Sequence, residues 1–196
     1  MLAAGLSRRM GRFKLTLPWG AAESSRTVIG QVVATVAAAG LGEIVVVTGH
    51  RAAEVEAALA GTAARCVPNP DYATGEMLTS IQVGLAALSD RSAAALLCLG
   101  DQPQMEVATA QAVLAAGRAT DWQTIVIPSF QMRAGHPILL PRWLWGEILA
   151  CRGTLRDVLA RHRGQTEYLV VQTPTVLADL DTPEDYAASN VNREAR

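Results

Sequence analysis

Of the 17 lysine and arginine residues in the chain only Lys14 is a lysine, and it closes the stretch Leu2-Ala-Ala-Gly-Leu-Ser-Arg-Arg-Met-Gly-Arg-Phe-Lys14. Ala4, Gly5, Ser7 and Gly11 are small enough to let main-chain amides approach a ligand, while Arg8, Arg9 and Lys14 add positive charge. Exposed amides with an ammonium at the end of the loop suit a polyphosphate. The spacing is neither that of the P-loop nor Gly-x-Gly-x-x-Gly, so this reading rests on residue chemistry alone. An ordinary strand-to-helix connection with surface arginines accounts for the same residues.

Two further segments carry carboxylates. Asp101 follows the apolar run Ala93–Leu99 in Gly100-Asp101-Gln102-Pro103. It is either a turn aspartate bonded to its own backbone or a ligand for a hard cation such as Mg²⁺. Asp179 and Asp181 lie two apart, so in an extended segment they share a face while Leu180 points the other way. Thr182-Pro183-Glu184-Asp185 reads as a helix start, with a capping hydroxyl, proline at the first position and acids in the first turn. That leaves Asp179 and Asp181 free, and one of them can complete a metal site with Asp101.

The elements that must place these groups alternate along the chain. Thr27–Ala38 has apolar residues at 28, 29, 32, 33 and 36, a helical stripe. Glu43–Gly49 is a β-branched run that reads as a buried strand. Arg51–Ala60 reads as helix, Arg65–Val67 as strand, Leu78–Leu88 as helix and Ala93–Leu99 as strand. A helix from about Glu106 to Gly117 and a strand at Thr124–Pro128 follow, and the last third gives strand, helix, helix, strand. The order predicts an α/β fold of three layers, with a mostly parallel, Rossmann-like sheet covered by helices on both faces. Ligands in such sheets sit beyond the carboxyl ends of strands, which singles out the first loop and the segments around Asp101 and Asp181.

Only Met1 and Leu2 precede Ala3, whereas strands typically run about 5–6 residues. The first strand is therefore expected to be truncated, with the true start upstream. No repeat or linker divides residues 1–196, and one domain is expected. Asn69-Pro-Asp-Tyr-Ala-Thr-Gly-Glu-Met-Leu-Thr-Ser80 enters a helix, with Thr74 or Thr79 as the expected cap. Arg133-Ala-Gly-His136-Pro is a second polar loop whose histidine reads as structural, and Trp143 and Trp145 read as packing residues.

Half of the residues are apolar and the net charge is -1, which excludes a disordered chain and gives no electrostatic reason to expect nucleic acid or a membrane surface. The apolar stretches fall short of a bilayer span, and no apolar segment follows Arg8-Arg9 to make a signal peptide. Cys66, Cys98 and Cys151 are widely spaced and have no histidine pair beside them. A reduced, cytoplasmic protein without structural zinc is expected.

Taken in order, Leu2-Ala-Ala-Gly-x-Ser-x-Arg9-Met-Gly-x-x-Lys14, Asn69-Pro-x-Tyr-x-x-Gly75 with Ser80-Ile-Gln82, Gly100-Asp101-Gln-Pro, Gly135-His136-Pro and Asp179-x-Asp-Thr-Pro-Glu-Asp-Tyr186 resemble the molybdenum cofactor cytidylyltransferases. These are nucleotidyltransferases of GT-A-like fold, and the resemblance runs nearly the whole chain. It implies transfer of CMP from CTP to molybdopterin with release of pyrophosphate. Carried across, Leu2, Ala3 and Ala4 line the base and sugar, Gly5, Ser7 and Arg9 hold the triphosphate, and Lys14 holds the α-phosphate. Ser80 contacts cytosine, and Asp101 binds Mg²⁺ with Asp181 as the preferred second ligand; Lys14, Arg9 and Asp101 are the expected catalytic residues. Ala-Ala-Gly resembles the cytidylyl rather than the guanylyl branch, and a methyl at Ala4 narrows the base pocket against a purine. Competing expectations are another acceptor phosphate (a methylerythritol or sugar phosphate), GTP as donor, or a non-catalytic molybdopterin carrier. A molybdoenzyme or its chaperone is the protein partner that the resemblance implies, and the Arg133–Pro137 loop is the expected acceptor contact.

Overall fold

The computed structural model describes residues 1–20 and 26–194. The chain opens with β1 (Leu2–Ala3) and two 3-10 turns, Arg8–Met10 and Lys14–Thr16. A small antiparallel pair, β2 (Pro18–Trp19) and β3 (Arg26–Thr27), leads into α1 (Val28–Ala38). Then come β4 (Ile44–Thr48), α2 (Ala52–Ala58), β5 (Ala64–Pro68), α3 (Met77–Ala87) and β6 (Ala94–Leu97). The second half runs α4 (Val107–Ala119), β7 (Ile125–Phe130), β8 (Arg133–Ala134), β9 (Ile138–Pro141), α5 (Arg142–Ala150), α6 (Leu155–Arg161), β10 (Thr166–Val170) and α7 (Pro183–Glu194).

Local chemistry explains most boundaries. The Thr27 hydroxyl accepts from the Gly30 amide at 3.1 Å and starts α1. Thr154 and Asp157 form a reciprocal capping box at α6. Thr182 and Asp185 do the same at α7: each main-chain N–H donates to the other side chain, at 2.8 and 3.2 Å. The expected cap of α3 is not found: Glu76 holds the cap position, and the Thr79 hydroxyl instead donates to the Glu76 carbonyl at 2.9 Å. Thr79 lies one turn inside the helix, where a hydroxyl bonds back to a preceding carbonyl.

β5, β4 and β1 pair in parallel, and Leu2 bridges Leu99 in the same sense. That bridge carries the order on to β6, β9, β7 and β10; β9 runs against both neighbours, and β10 is parallel to β7. The α/β class with a mostly parallel sheet is therefore as expected. All five residues of β4 are buried, as a strand covered on both faces requires. One face carries α1 and α2, whose Val32, Val36 and Val55 pack with Ile44 and Val46, and α4, whose Val113 and Leu114 pack with Val126. The other carries α3, α5 and α6, with Ile81, Leu144 and Val158 against Leu97, Ile125 and Ile127.

β1 is only two residues long, yet it is bonded from both sides. Val47 donates to Met1 O at 2.9 Å, Leu2 donates to Cys98 O at 2.9 Å, and Gly100 donates to Leu2 O at 2.8 Å. Burial pushes the Met1 ammonium below its ordinary pKa. A cavity of about 620 Å³ lies beside Met1, walled by β4, β6 and the end of α1. Among the described residues no helix is long and apolar enough to cross a membrane.

Because β1, β4, β5 and β6 are parallel, the loops at 4–14, 69–76 and 98–103 leave the same edge of the sheet. The segment before α7 returns to that edge. Leu180 is fully buried, and its N–H donates to the Asp101 carbonyl at 3.1 Å, which ties Asp179 and Asp181 to the end of β6. Leu180→Ala is expected to lower the unfolding free energy by about 2–5 kcal/mol, the range for emptying a packed leucine site. Urea denaturation measures this, and a loss below about 1 kcal/mol would mean that Leu180 is not the anchor.

Candidate active site

The centre of the site is a charge cluster built by three distant segments. The Lys14 ammonium lies 2.6 Å from Asp101 Oδ2 and 3.2 Å from Asp181 Oδ1. Arg9 reaches the other oxygen of Asp181 at 2.8 Å. The Lys14 side chain is 12% exposed and that of Arg9 is 73% exposed, so one cation is enclosed and the other stands at the mouth. Buried Phe13 and Leu15 on either side fix Lys14 against the core. Phe13 meets the His50 ring edge-on at 5.7 Å, and the Arg51 guanidinium lies 5.3 Å above it. The loop folds back on itself through Ser7, which takes the left-handed conformation at φ 51° while Met10 donates to its carbonyl and Lys14 N to its hydroxyl.

Two neighbours shape the electrostatics. Gln102 is buried and donates to Asp179 Oδ1 at 2.7 Å. Burial, then the charges of Asp101 and Asp181, raise the Asp179 pKa, and the Gln102 bond opposes them. His136 is partly buried; desolvation pushes its pKa down to about 4, against the pull of Asp101. Asp101 and Asp181 are hard oxygen donors facing one cation, the donor type that Mg²⁺ or Mn²⁺ takes. Among the described residues no group of three His, Cys, Asp or Glu side chains could hold a metal, so a divalent ion there needs further oxygens from a ligand.

These groups line a cleft of about 390 Å³. Leu2, Ala3, Ala4, Gly5 and Ser7 line it from the first loop, with Arg9 and Lys14 beyond them. Ser80 joins them from α3, and Asp101, Asp179 and Asp181 from the later segments. The structure thus gathers the residues expected at the nucleotide and the metal into one place. The Arg133–Pro137 loop, expected at the acceptor, does not line this cleft; the charge of Asp101 acts on His136 from there. The larger cavity beside Met1 is lined by none of Lys14, Asp101 or Asp181, so the smaller cleft is the candidate site.

Sequence reasoning did not single out Tyr72 or Gly49. A Cβ at Gly49 would lie 2.5 Å from Tyr72 Cβ and 2.9 Å from Ala4 Cβ, so only glycine lets these three segments close up. Gly49 ends a buried strand and Tyr72 sits in a Pro-Asp-Tyr loop. The one available signal was position at the carboxyl edge of the sheet.

A cationic loop and paired carboxylates at that edge describe a transferase acting on a phosphorylated substrate. The chain belongs to the MobA-like NTP transferase domain family, matched over residues 1–166. It is 26% identical over 185 residues to the molybdenum cofactor cytidylyltransferase of Escherichia coli, which covers 94% of this chain and 90% of that protein. A nucleotidyl transferase from Methanothermobacter superposes with a TM-score of 0.82 at 27% identity, covering 99% and 95% of the two chains. A Mycobacterium tuberculosis protein solved in complex with manganese gives 0.74 at 29% identity, covering 100% and 96%. The protein is a nucleotidyltransferase.

His136 supplies a test of the electrostatics. Its folded pKa of about 4 lies below the ordinary 6.5, so the unfolded chain binds the extra proton between these values. The associated stability is fully present above pH 6.5 and is lost as pH falls through about 4. The metal-free protein is expected to lose about 2–3 kcal/mol by this route, and His136→Gln to lose correspondingly less, in thermal unfolding followed across that range. Parallel pH profiles for the two proteins would show that His136 titrates normally.

Proposed function

We propose that the protein transfers CMP from CTP to the terminal phosphate of molybdopterin, in the cytoplasm and with residues 1–196 acting as one domain. A phosphate oxygen of the pterin attacks the α-phosphorus of CTP, the bond to the bridging oxygen of the β-phosphate breaks, and pyrophosphate leaves. The observation that carries this reading is the enclosed Lys14 ammonium between Asp101 and Asp181 at the carboxyl edge of the sheet. The relative named a molybdenum cofactor cytidylyltransferase supports the choice of donor and acceptor.

The roles follow from charge and position. The amides of Gly5 and Ser7 and the guanidinium of Arg9 bind the triphosphate, and Lys14 takes the α-phosphate, where negative charge builds as the new bond forms. Asp101 and Asp181 would hold Mg²⁺, which would supply charge neutralisation at the phosphates; a relative solved in complex with manganese supports a divalent ion. Leu2, Ala3 and Ala4 hold base and sugar. The Ala4 methyl, which closes against Gly49, narrows the base end, a change that discriminates by about 1–3 kcal/mol. Little covalent work falls to the protein, whose residues align the reactants and stabilise developing charge.

Pyrophosphate release with Mg²⁺ and molybdopterin is expected with CTP and not with GTP or ATP. Lys14→Ala and Asp101→Ala are each expected to slow it by about 100-fold or more, the scale of a lost electrostatic stabiliser. Release with GTP instead would reassign the donor, release with only a sugar or methylerythritol phosphate would reassign the acceptor, and binding without release would make the protein a carrier. The ion pairs give a second expectation. Lys14 competes with a divalent ion for the same two carboxylates, so Lys14→Met is expected to bind Mn²⁺ about tenfold more tightly than the parent without nucleotide. Paramagnetic resonance of free Mn²⁺ measures this; unchanged affinity would separate the lysine from the metal position.

A further inference from the structure

Ser80 lines the cleft and is 7% exposed, and what its hydroxyl does there is decided by a residue the reaction scheme leaves unused. Asn69, at the carboxyl end of β5, is 2% exposed. Its carboxamide orientation is settled by a main-chain group: the Asp71 N–H can only donate, and it lies 3.0 Å from Asn69 Oδ1. The amide nitrogen must then face the other way. Nδ2 donates to Ser80 Oγ at 2.9 Å and to Thr79 Oγ1 at 3.0 Å. Both of its hydrogens are used.

The consequence passes to the hydroxyls. Thr79 accepts from Asn69 and sends its own proton to the Glu76 carbonyl. Ser80 also accepts from Asn69, but among the described residues its proton has no acceptor. A hydroxyl carries one proton and two lone pairs. With a lone pair committed inward, the Ser80 proton is left for the cleft.

We infer that Asn69 is a positioning residue for base selectivity: it holds Ser80 as a hydrogen-bond donor, so the nucleobase taken there presents an acceptor, a carbonyl oxygen or an unprotonated ring nitrogen. This rests on the nucleotide reading of the cleft and adds to it the polarity of the base contact. A pyrimidine offers its 2-carbonyl, and cytosine adds an acceptor at N3 where uracil carries N–H. Asn69 is anchored for this task, since its own N–H donates to Thr48 O at 2.8 Å and its carbonyl accepts from Tyr72 N at 3.4 Å.

Asn69→Asp tests the assignment with little change of shape. The carboxylate still accepts from the Asp71 N–H, but it now recruits the Ser80 proton inward and leaves only lone pairs facing the cleft. CTP affinity, measured by titration calorimetry without acceptor substrate, is expected to fall about tenfold, with KM for CTP rising and kcat kept within about threefold. Ser80→Ala is expected to weaken CTP to a similar extent, and the double variant to lose nothing further, because both changes remove the same proton. CTP binding by Asn69→Asp within about twofold of the parent, or additive losses in the double variant, would overturn the assignment. Should Asn69→Asp not fold, Ser80→Ala decides alone, since undiminished CTP binding by a normally folded Ser80→Ala protein also overturns it. A parent protein that binds no nucleoside triphosphate would bring down the nucleotide reading itself, whereas a parent that binds CTP beside indifferent variants removes only the role of Asn69.

Discussion

Two carboxylates with a cation between them organise this protein. Asp101 and Asp181 come from segments far apart in the chain, and their like charges oppose any approach without a counter-ion. Lys14 supplies it, at 2.6 and 3.2 Å, from a loop 167 residues away from Asp181. An enclosed ion pair of this kind is a weak source of net stability, because the desolvation of both partners offsets most of the attraction. Its value lies in arrangement. The pair brings two carboxyl groups from distant segments to one point, on a single ammonium.

The rest of the fold delivers those side chains. The stub β1 lies between β4 and the end of β6, so the loop that ends in Lys14 and the loop that begins with Asp101 leave neighbouring points of one edge. Buried Leu180 brings the third member into place, with Asp179 and Asp181 projecting from either side of it. Asp179 is the member that Lys14 does not contact directly. It is held by Gln102, and burial raises its pKa.

Much of this was legible in the sequence, and the reason is periodicity. The buried run Ile44–Thr48 and the stripe of α1 each announce their element, because a strand covered on both faces and a helix covered on one have distinct spacings. Lys14, Asp101 and Asp181 were legible as chemistry, since each stands where a ligand of an open parallel sheet must sit. The missed features depend on pairings that no local pattern records. β2 and β3 are two residues each, too short to show alternation. The loop after β1 gives two 3-10 turns instead of running directly into a helix, because Phe13 and Leu15 are drawn into the core on either side of Lys14. Thr79 has the composition of a cap and the position of an interior residue, and only its bond to the Glu76 carbonyl distinguishes them.

Two buried side chains behind the cleft have something in common. Gln102 and Asn69 are both carboxamides, both 2% exposed, and both placed just beyond the end of a parallel strand. Each presents its NH₂ to a polar side chain of the cleft: Gln102 to Asp179, Asn69 to Ser80. An amide suits such a position because it carries a donor and an acceptor in fixed relation and does not titrate. A carboxylate there would add charge behind a site already crowded with acids, and an aliphatic residue would leave Asp179 or Ser80 to settle its own orientation. The buried amides thus give the cleft a hydrogen-bonding polarity that pH does not reverse, beside the ion pairs of Lys14 and Arg9 with the aspartates.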